Sequence, residues 1–333
     1  MRPASPLLDA ARIYRGQAVI VTGGAGFIGS HLVERLVTLG ARVTVIDNLS
    51  TGRLRNLAAV RGQLDLRELD LVTDDLGPLL HAATWHTVFH LAGNANVQHS
   101  VLEPREDLER NAIATFNLLT AVKESAPKTR VIHTSSAAVY GEGVTNPIRE
   151  DDPKRPISPY GLSKLTSEHY VRLFAELYAL SGCNVRLFSV YGPRLRKQVV
   201  WDLMRKLHAN PHELHLYGDG SQVRDLNHVG NVIDALVLVV GRAALQGEDY
   251  NVAAGEHVSI RDLVAKLAGC FGVEPELVYS GQVRAGEIQA WYPDTSRIEA
   301  LGYRTRVSLD QGLTETVAWF KQEPEGVEQG SLT

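Results

Sequence analysis

The apolar positions of this chain fall into short unbroken runs separated by stretches of helical spacing. QAVIVTG at 17–23 suits a buried strand, and FIGSHLVERLVTLG after it reads as a helix. RVTVIDN at 42–48 repeats the strand pattern, and TVFHLAG at 87–93 and RVIHTSS at 130–136 are apolar runs ending in small or polar residues. Between those two, EDLERNAIATFNLLTAVKES has helical spacing, which predicts one face made of Leu108, Ala112, Thr115 or Phe116, and Leu119. A helix is predicted from about Pro159 to Leu180, followed by a strand in NVRLFSV. Strands alternating with helices imply an α/β fold, a Rossmann-type doubly wound parallel sheet with helices on both faces.

Beyond residue 192 the alternation loosens. Helices are expected at 199–208, 229–241, 259–271 and 309–321, with glycine-rich turns such as YGDGSQ and YSGQVRAGE between them. This predicts a smaller α/β domain folded over the strand ends of the first. The divisions expected are an N-terminal extension at 1–16, a first domain at 17–192, a second at 193–322 interleaved with it, and a tail at 323–333.

Composition narrows the classes. The 333 residues carry a net charge of −4 with 22% charged and 44% hydrophobic positions, an ordinary globular balance. It lacks the basic stripe of a nucleic-acid binder. The longest apolar stretch, ALVLVV at 235–240, is too short to span a membrane and fits a core helix. The N-terminus lacks the pattern of a secretory leader, so a cytoplasmic location is expected. Cys183 and Cys270 form no zinc or redox spacing and are expected as free thiols. HANPHELH at 208–215 has no carboxylate or cysteine arranged with its histidines, so no metal is expected. His90 reads as a packed core histidine.

Candidate chemistry begins at VIVTGGAGFIGSHL. Gly23, Gly26 and Gly29 form G-x-x-G-x-x-G between a strand and a helix, the context a dinucleotide site requires, with Phe27 and Ile28 inside the turn. Glycines let the backbone approach a pyrophosphate, and the helix N-terminus favours its charge. The second strand ends in Asp47 and Asn48. A carboxylate there accepts hydrogen bonds from the adenosine ribose and repels a 2′-phosphate, so NAD is expected rather than NADP. Arg53 and Arg55 follow and are read as a solvated loop. Asp70, after LRELD, is placed on the adenine side.

SPYGLSKLTSEHY sets Tyr160 and Lys164 four residues apart, one helical turn. A free tyrosine ionises near pH 10, too high for a base near neutrality. Lowering that by roughly three units takes about 4 kcal/mol, which a cation about 4 Å away in a partly polar site can supply. Lys164 is expected to be that cation.

The glycine turn, Asp47, HLAG, TSSAAVYG and YGLSK, in that order, resemble the extended short-chain dehydrogenase/reductase family of nucleotide-sugar enzymes, from about Gln17 to Phe320. Within it the similarity is greatest to UDP-sugar 4-epimerases acting on UDP-glucose or UDP-glucuronic acid. The resemblance implies that Ser136, Tyr160 and Lys164 react. It implies that Gly23, Gly26, Phe27, Ile28, Gly29, Asp47, Asn48, Asp70, Leu71, Leu91, Ala92 and Gly93 hold NAD with Tyr160 and Lys164. It places Ser136, Ser189, Arg224, Arg284, Glu287 and Trp291 on a UDP-sugar. The two arginines would clamp the diphosphate, for which a planar guanidinium is suited, and Glu287 would meet the ribose.

The reaction implied is hydride removal from C4 and its return to the opposite face. The family's 4,6-dehydratases carry an acid pair just after the Ser/Thr position, and this chain has Ala137 and Ala138 there. A dehydratase, an epimerase at another carbon and a catalytically silent binding protein are the alternatives. Ser189 stands where many relatives have Asn, which leaves glucose and glucuronate both open. Arg194, Arg196 and Lys197 follow, and one of them could meet a sugar carboxylate. Trp291 favours sugars without an N-acetyl group. A homodimer is implied, paired through helices near 106–124 and 160–180.

Overall fold

The computed structural model describes residues 11–142, 146–281 and 292–323. Strands β1 (Ala18–Thr22), β2 (Arg42–Ile46), β3 (Leu64–Arg67), β4 (Thr87–His90), β5 (Arg130–Ser136) and β6 (Gly182–Leu187) are followed by short β7 (Val190–Tyr191), β8 (Glu213–Leu216), β9 (Val223–Asp225) and β10 (Asn227–His228). Then come β11 (Gln246–Val252), β12 (His257–Ser259) and β13 (Glu276–Tyr279). Seven of them form one sheet in the order β11-β6-β5-β4-β1-β2-β3. Every pairing in it is parallel. β1 is buried along its whole length, as a strand covered on both faces must be. Strand order reverses between β1 and β4, and ligands of such sheets bind at the carboxyl ends beside that switch.

Helices α1 (Phe27–Thr38), α2 (Gly77–His81), α3 (Val97–Leu102), α4 (Pro104–Leu108), α5 (Ala114–Ser125) and α6 (Pro159–Tyr178) belong to the first half. α7 (Gln198–Ala209), α8 (Val229–Arg242), α9 (Ile260–Phe271), α10 (Ser296–Ala300) and α11 (Leu309–Phe320) belong to the second. α1 turns Leu32, Val33 and Leu36 into the core. α6 begins where Ser158 accepts a hydrogen bond from the Gly161 amide and Pro159 occupies the first turn. It ends at Ala179, whose φ is 53°.

Four apolar clusters make up the core of the described residues, and two of them involve the second half of the chain most. One gathers β1, β2 and α1 with α8 and β11, so the second half of the chain returns to the first sheet. ALVLVV lies within α8, a core helix. Tyr14, ahead of β1, is fully buried and donates to the Val237 carbonyl at 3.1 Å. The other core joins α7, α9 and α11 through Leu203, Leu207, Leu263, Leu267, Leu313 and Phe320. Phe27 packs against both.

β3 stops at Arg67, and Asp70 lies in the loop after it. Two local expectations change. NVRLFSV is broken: β6 ends at Leu187 and β7 pairs with β10 instead. The stretch 106–125 is not one regular helix. A π-turn at Glu109–Ile113 separates α4 from α5 and rotates the register. Asp107, Asn111, Ala112 and Thr115 therefore point inward, while Leu108 and Phe116 are 46% and 39% exposed. An amphipathic count at constant period cannot foresee that rotation.

Candidate active site

A cavity of about 1030 Å³ runs along the carboxyl ends of the parallel strands. One end is the turn after β1. A Cβ at Gly29 would lie 2.1 Å from the Gly23 carbonyl oxygen, so only glycine lets α1 start this close to the strand. Gly23 has φ +68°, and a Cβ there would meet the Ala92 amide nitrogen at 2.7 Å. Gly26 caps α1 without a side-chain partner, and the first turn carries no acid. Gly23, Gly26, Phe27, Ile28 and Gly29 line the cavity at this helix N-terminus, the kind of position that favours an anion.

Asp47 follows at the end of β2. Its carboxylate accepts from the Ala25 amide at 2.9 Å and the Leu49 amide at 2.8 Å. Burial raises its pKa, and these two amides act in the opposite sense. Asn48 donates to Asp70 at 2.8 Å, and the Val72 amide donates to Asp70 at 2.9 Å. Slight burial raises Asp70, but the Val72 amide, Asn48 and the charge of Arg110 outweigh it and hold the carboxyl below its ordinary value. Leu71, Leu91, Ala92 and Gly93 complete the wall. The residues fit a dinucleotide: a glycine cradle at a helix N-terminus, then a fixed carboxylate where a ribose would stand. Arg55 pairs with Glu323, and Arg53 and Arg55 are absent from the cavity lining.

At the other end the cavity meets Ser136, Tyr160 and Lys164. β5 delivers Ser136, whose hydroxyl accepts from the Ala138 amide at 3.2 Å. α6 delivers the other two. It approaches the 137–139 turn so closely that a Cβ on Gly161 would lie 2.5 Å from the Ala138 carbonyl. Lys164 is 5% exposed and donates to the Thr134 carbonyl at 3.0 Å. Burial pulls its pKa down to about 8, while the charges of Asp107 and Glu168 raise it.

The tyrosine differs from its expectation. Burial raises Tyr160, the hydrogen bond with Ser136 lowers it, and the charge of Asp107 raises it again. The net direction is upward, because burial and the Asp107 charge outweigh the hydrogen bond with Ser136. His90 is a core residue, 1% exposed, between Thr22 at 2.8 Å and Thr115 at 2.9 Å. Burial and the Lys164 charge lower its pKa to about 3, so it is neutral.

Sequence reasoning missed the wall behind this unit. Asp107 is fully buried and accepts from Asn94 at 2.8 Å and Asn111 at 3.1 Å. Gly93, expected only as part of the NAD wall, has φ +152°, and a Cβ there would lie 2.5 Å from Asn111 Oδ1 and 3.4 Å from Lys164 Nζ. The signal was present: Asp107 and Asn111 are one helical turn apart in a segment read only for its apolar face.

On the sugar side, Ser189 and Arg224 line the cavity. Arg284, Glu287 and Trp291 lie outside the described residues. Of the basic loop, Lys197 lines the cavity and donates to the Ala95 carbonyl at 3.0 Å. Arg194 turns away to Ser30 at 3.0 Å and Glu34 at 2.5 Å, and Arg196 pairs with Glu323. Burial lowers the pKa of Lys197. The acids on the cavity wall are Asp47, Asp70, Glu106 and Asp225, and none stands beside Ser136 in sequence. Glu106 accepts from Arg110 at 2.6 Å and His99 at 3.0 Å, and Asp225 accepts from the Ala254 and Gly255 amides at 2.8 and 2.7 Å. Among the described residues no group of three or more metal-ligating side chains occurs, and no helix is long and apolar enough to cross a membrane. Cys183 and Cys270 are free.

A parallel sheet with a glycine cradle at its switch point and a Ser-Tyr-Lys unit on β5 and α6 defines an extended short-chain dehydrogenase/reductase. Within that class the chain belongs to the family described as GDP-mannose 4,6 dehydratase, whose model matches residues 20–316. It is 35% identical over 312 residues to UDP-glucose 4-epimerase of Mycolicibacterium smegmatis, covering 91% of this chain and 98% of the relative. It is 31% identical over 314 residues to dTDP-glucose 4,6-dehydratase of Actinoplanes, covering 91% and 97%. The crystal structure of UDP-glucose 4-epimerase from Thermotoga maritima with UDP-glucose superposes with a TM-score of 0.85 at 32% identity, covering 92% of this chain and 99% of that one. The chain is therefore a nucleotide-sugar enzyme of the epimerase and dehydratase type.

Proposed function

We propose that this protein is an NAD-dependent UDP-hexose 4-epimerase. The observation that carries the choice is the surroundings of Ser136. The two positions after it are Ala137 and Ala138, and each acid on the described cavity wall is already held by other groups or lies at the adenosine end. Elimination of water across C5 and C6 needs an additional acid and base, and these residues supply none. Hydride removal and return at one carbon needs only the Ser-Tyr-Lys unit.

Asp47 and the glycine cradle support NAD. Held there, NAD would supply a hydride acceptor for C4, and in its oxidised form a positive charge near the buried phenol. Tyr160 accepts the proton of the C4 hydroxyl, directly or through Ser136, and gives it back at the end of the cycle. Lys164 lends its charge to the phenolate. Arg224, with Arg284 from outside the described residues, clamps the nucleotide diphosphate, and Glu287, also outside them, meets the ribose. Firm binding of that remote group holds the 4-keto sugar while its ring turns over.

The sugar is a neutral hexose in this reading. A uronate is the second reading, and the position of Lys197 on the cavity wall favours it. We further propose a cytoplasmic homodimer. The helices α5 and α6 expose Phe116, Leu173, Leu177 and Tyr178 at 39%, 42%, 63% and 50%, apolar side chains available to a second copy. Light scattering at rising concentration reads that state, and a monomer throughout would reject it. The activity is tested by following UDP-glucose and UDP-glucuronic acid in parallel by NMR with NAD. Inversion at C4 of either supports the proposal and selects the sugar. A 6-deoxy-4-keto product, or no turnover of any UDP-hexose, overturns it.

A further inference from the structure

Behind Lys164 the structure places a carboxylate that the reaction as described does not use. Asp107 is 0% exposed, and its Oδ1 accepts from Asn94 and Asn111 at 2.8 and 3.1 Å. Its Oδ2 is buried with no hydrogen-bond partner, and so is Asn111 Oδ1. Two unmet buried acceptors in one place are costly unless a donor serves them. Lys164 is the donor at hand. Its ammonium carries three protons, and its hydrogen bond to the Thr134 carbonyl uses one. Asn111 Oδ1 and Lys164 Nζ lie 2.5 and 3.4 Å from one point, the place of a Cβ on Gly93. The absence of a side chain at Gly93 is what leaves room for the two groups to face each other or share a water.

The backbone is shaped for this contact. The π-turn Glu109–Ile113 carries Asn111, and the Asn111 carbonyl accepts from Thr115 at 2.6 Å and from Ser167 of α6 at 3.3 Å. The turn is thereby tied to the helix that bears Tyr160 and Lys164. A single extra residue in the helical turn is a common device for aiming side chains at a functional site.

We propose that Asp107 is the buried counter-charge of Lys164 and a positioning residue for the Ser136–Tyr160–Lys164 unit, setting the pH range over which that unit works. Removing charge from water is unfavourable for an ammonium, and a nearby buried anion offsets that cost. The same anion opposes ionisation of Tyr160, so one carboxylate acts on both partners. The other ionisable groups facing Lys164 are Glu168 on its own helix, His90 on β4 and His133 on β5, besides Tyr160 itself. Both histidines are buried and have their pKa lowered by burial and by the charge of Lys164. Glu168 is engaged by Arg186 through both carboxylate oxygens, at 2.9 and 2.7 Å. That leaves Asp107 as the carboxylate with an oxygen to spare.

The inference rests on the epimerase reading only for what the pH range means, because the test needs no sugar turnover. The full chain is labelled at lysine 15Nζ, the Lys164 signal is assigned from its loss in Lys164→Arg, and its titration is followed by NMR. Asp107→Asn should lower the midpoint by about one pH unit or more, as expected for loss of an opposite charge at close range. Asp107→Glu, which keeps the charge, should stay near the wild-type value. An unmoved midpoint in a folded, NAD-binding Asp107→Asn protein overturns the proposal, even if turnover falls. Should that variant fail to fold, the wild-type midpoint decides. A value near 8 or above is expected, and a value of about 5 to 6, typical of a buried lysine without a counter-charge, overturns the proposal.

Discussion

The two ends of the cavity hold their ionisable groups in opposite ways. At the glycine-turn end, backbone amides from Ala25 and Leu49 grip Asp47, and Val72 with Asn48 grips Asp70. At the β5 end, Tyr160 and Lys164 are buried with fewer fixed bonds: Lys164 donates to the Thr134 carbonyl, and Tyr160 bonds with Ser136. Recognising a ribose needs a charge that stays. Moving a proton needs a group that can take one up and give it away, and low solvation with few fixed bonds keeps that group near balance.

If the contrast is right, the ends should break differently. Tyr160→Phe should reduce turnover by roughly 10²- to 10⁴-fold, the usual worth of a positioned general base, with NAD affinity unchanged by fluorescence titration. Gly29→Ala should act at the opposite end. With a Cβ 2.1 Å from the Gly23 carbonyl oxygen, it should cost about 1 to 3 kcal/mol of stability and remove measurable NAD binding, read by thermal melts with and without NAD. Asp47→Asn should be milder, narrowing the preference for NAD over NADP by about tenfold, or about 1.4 kcal/mol, in paired binding measurements.

The smallest effect is the sharpest comparison. Lys164 works while protonated, and its pKa is lowered to about 8. Turnover under saturating substrate should therefore fall by about half near that pH and continue to fall above it. Binding of NAD, governed by Asp47, should be flat over the same range because that carboxylate is ionised throughout. A rate that stays level well above pH 8 would show that the ammonium is not needed.

The sequence disclosed most of what is local and little of what is tertiary. The glycine turn, Asp47 and the Tyr160–Lys164 spacing were legible because each is a short pattern with a direct geometric meaning. The parallel sheet was legible because buried strands are apolar without alternation, as in VIV and VFH. Asp107, and the place of Gly93 beside Asn111 and Lys164, escaped because they arise only when α4, β4 and α6 meet. The expected lowering of Tyr160 failed for a related reason: helical spacing gives proximity to Lys164, but not the burial that raises the phenol. The basic loop likewise looked uniform in sequence, and the fold turns Arg194 and Arg196 toward carboxylates while Lys197 lines the cavity.

The central claim is hydride removal and return at a single sugar carbon. UDP-glucose deuterated at C4, incubated with the chain and NAD in ordinary water, tests it most directly. The account predicts UDP-galactose that keeps its deuterium at C4, read by proton NMR and mass spectrometry. Deuterium appearing at C6 with loss of water, or a C4-inverted product with hydrogen from solvent, would contradict it.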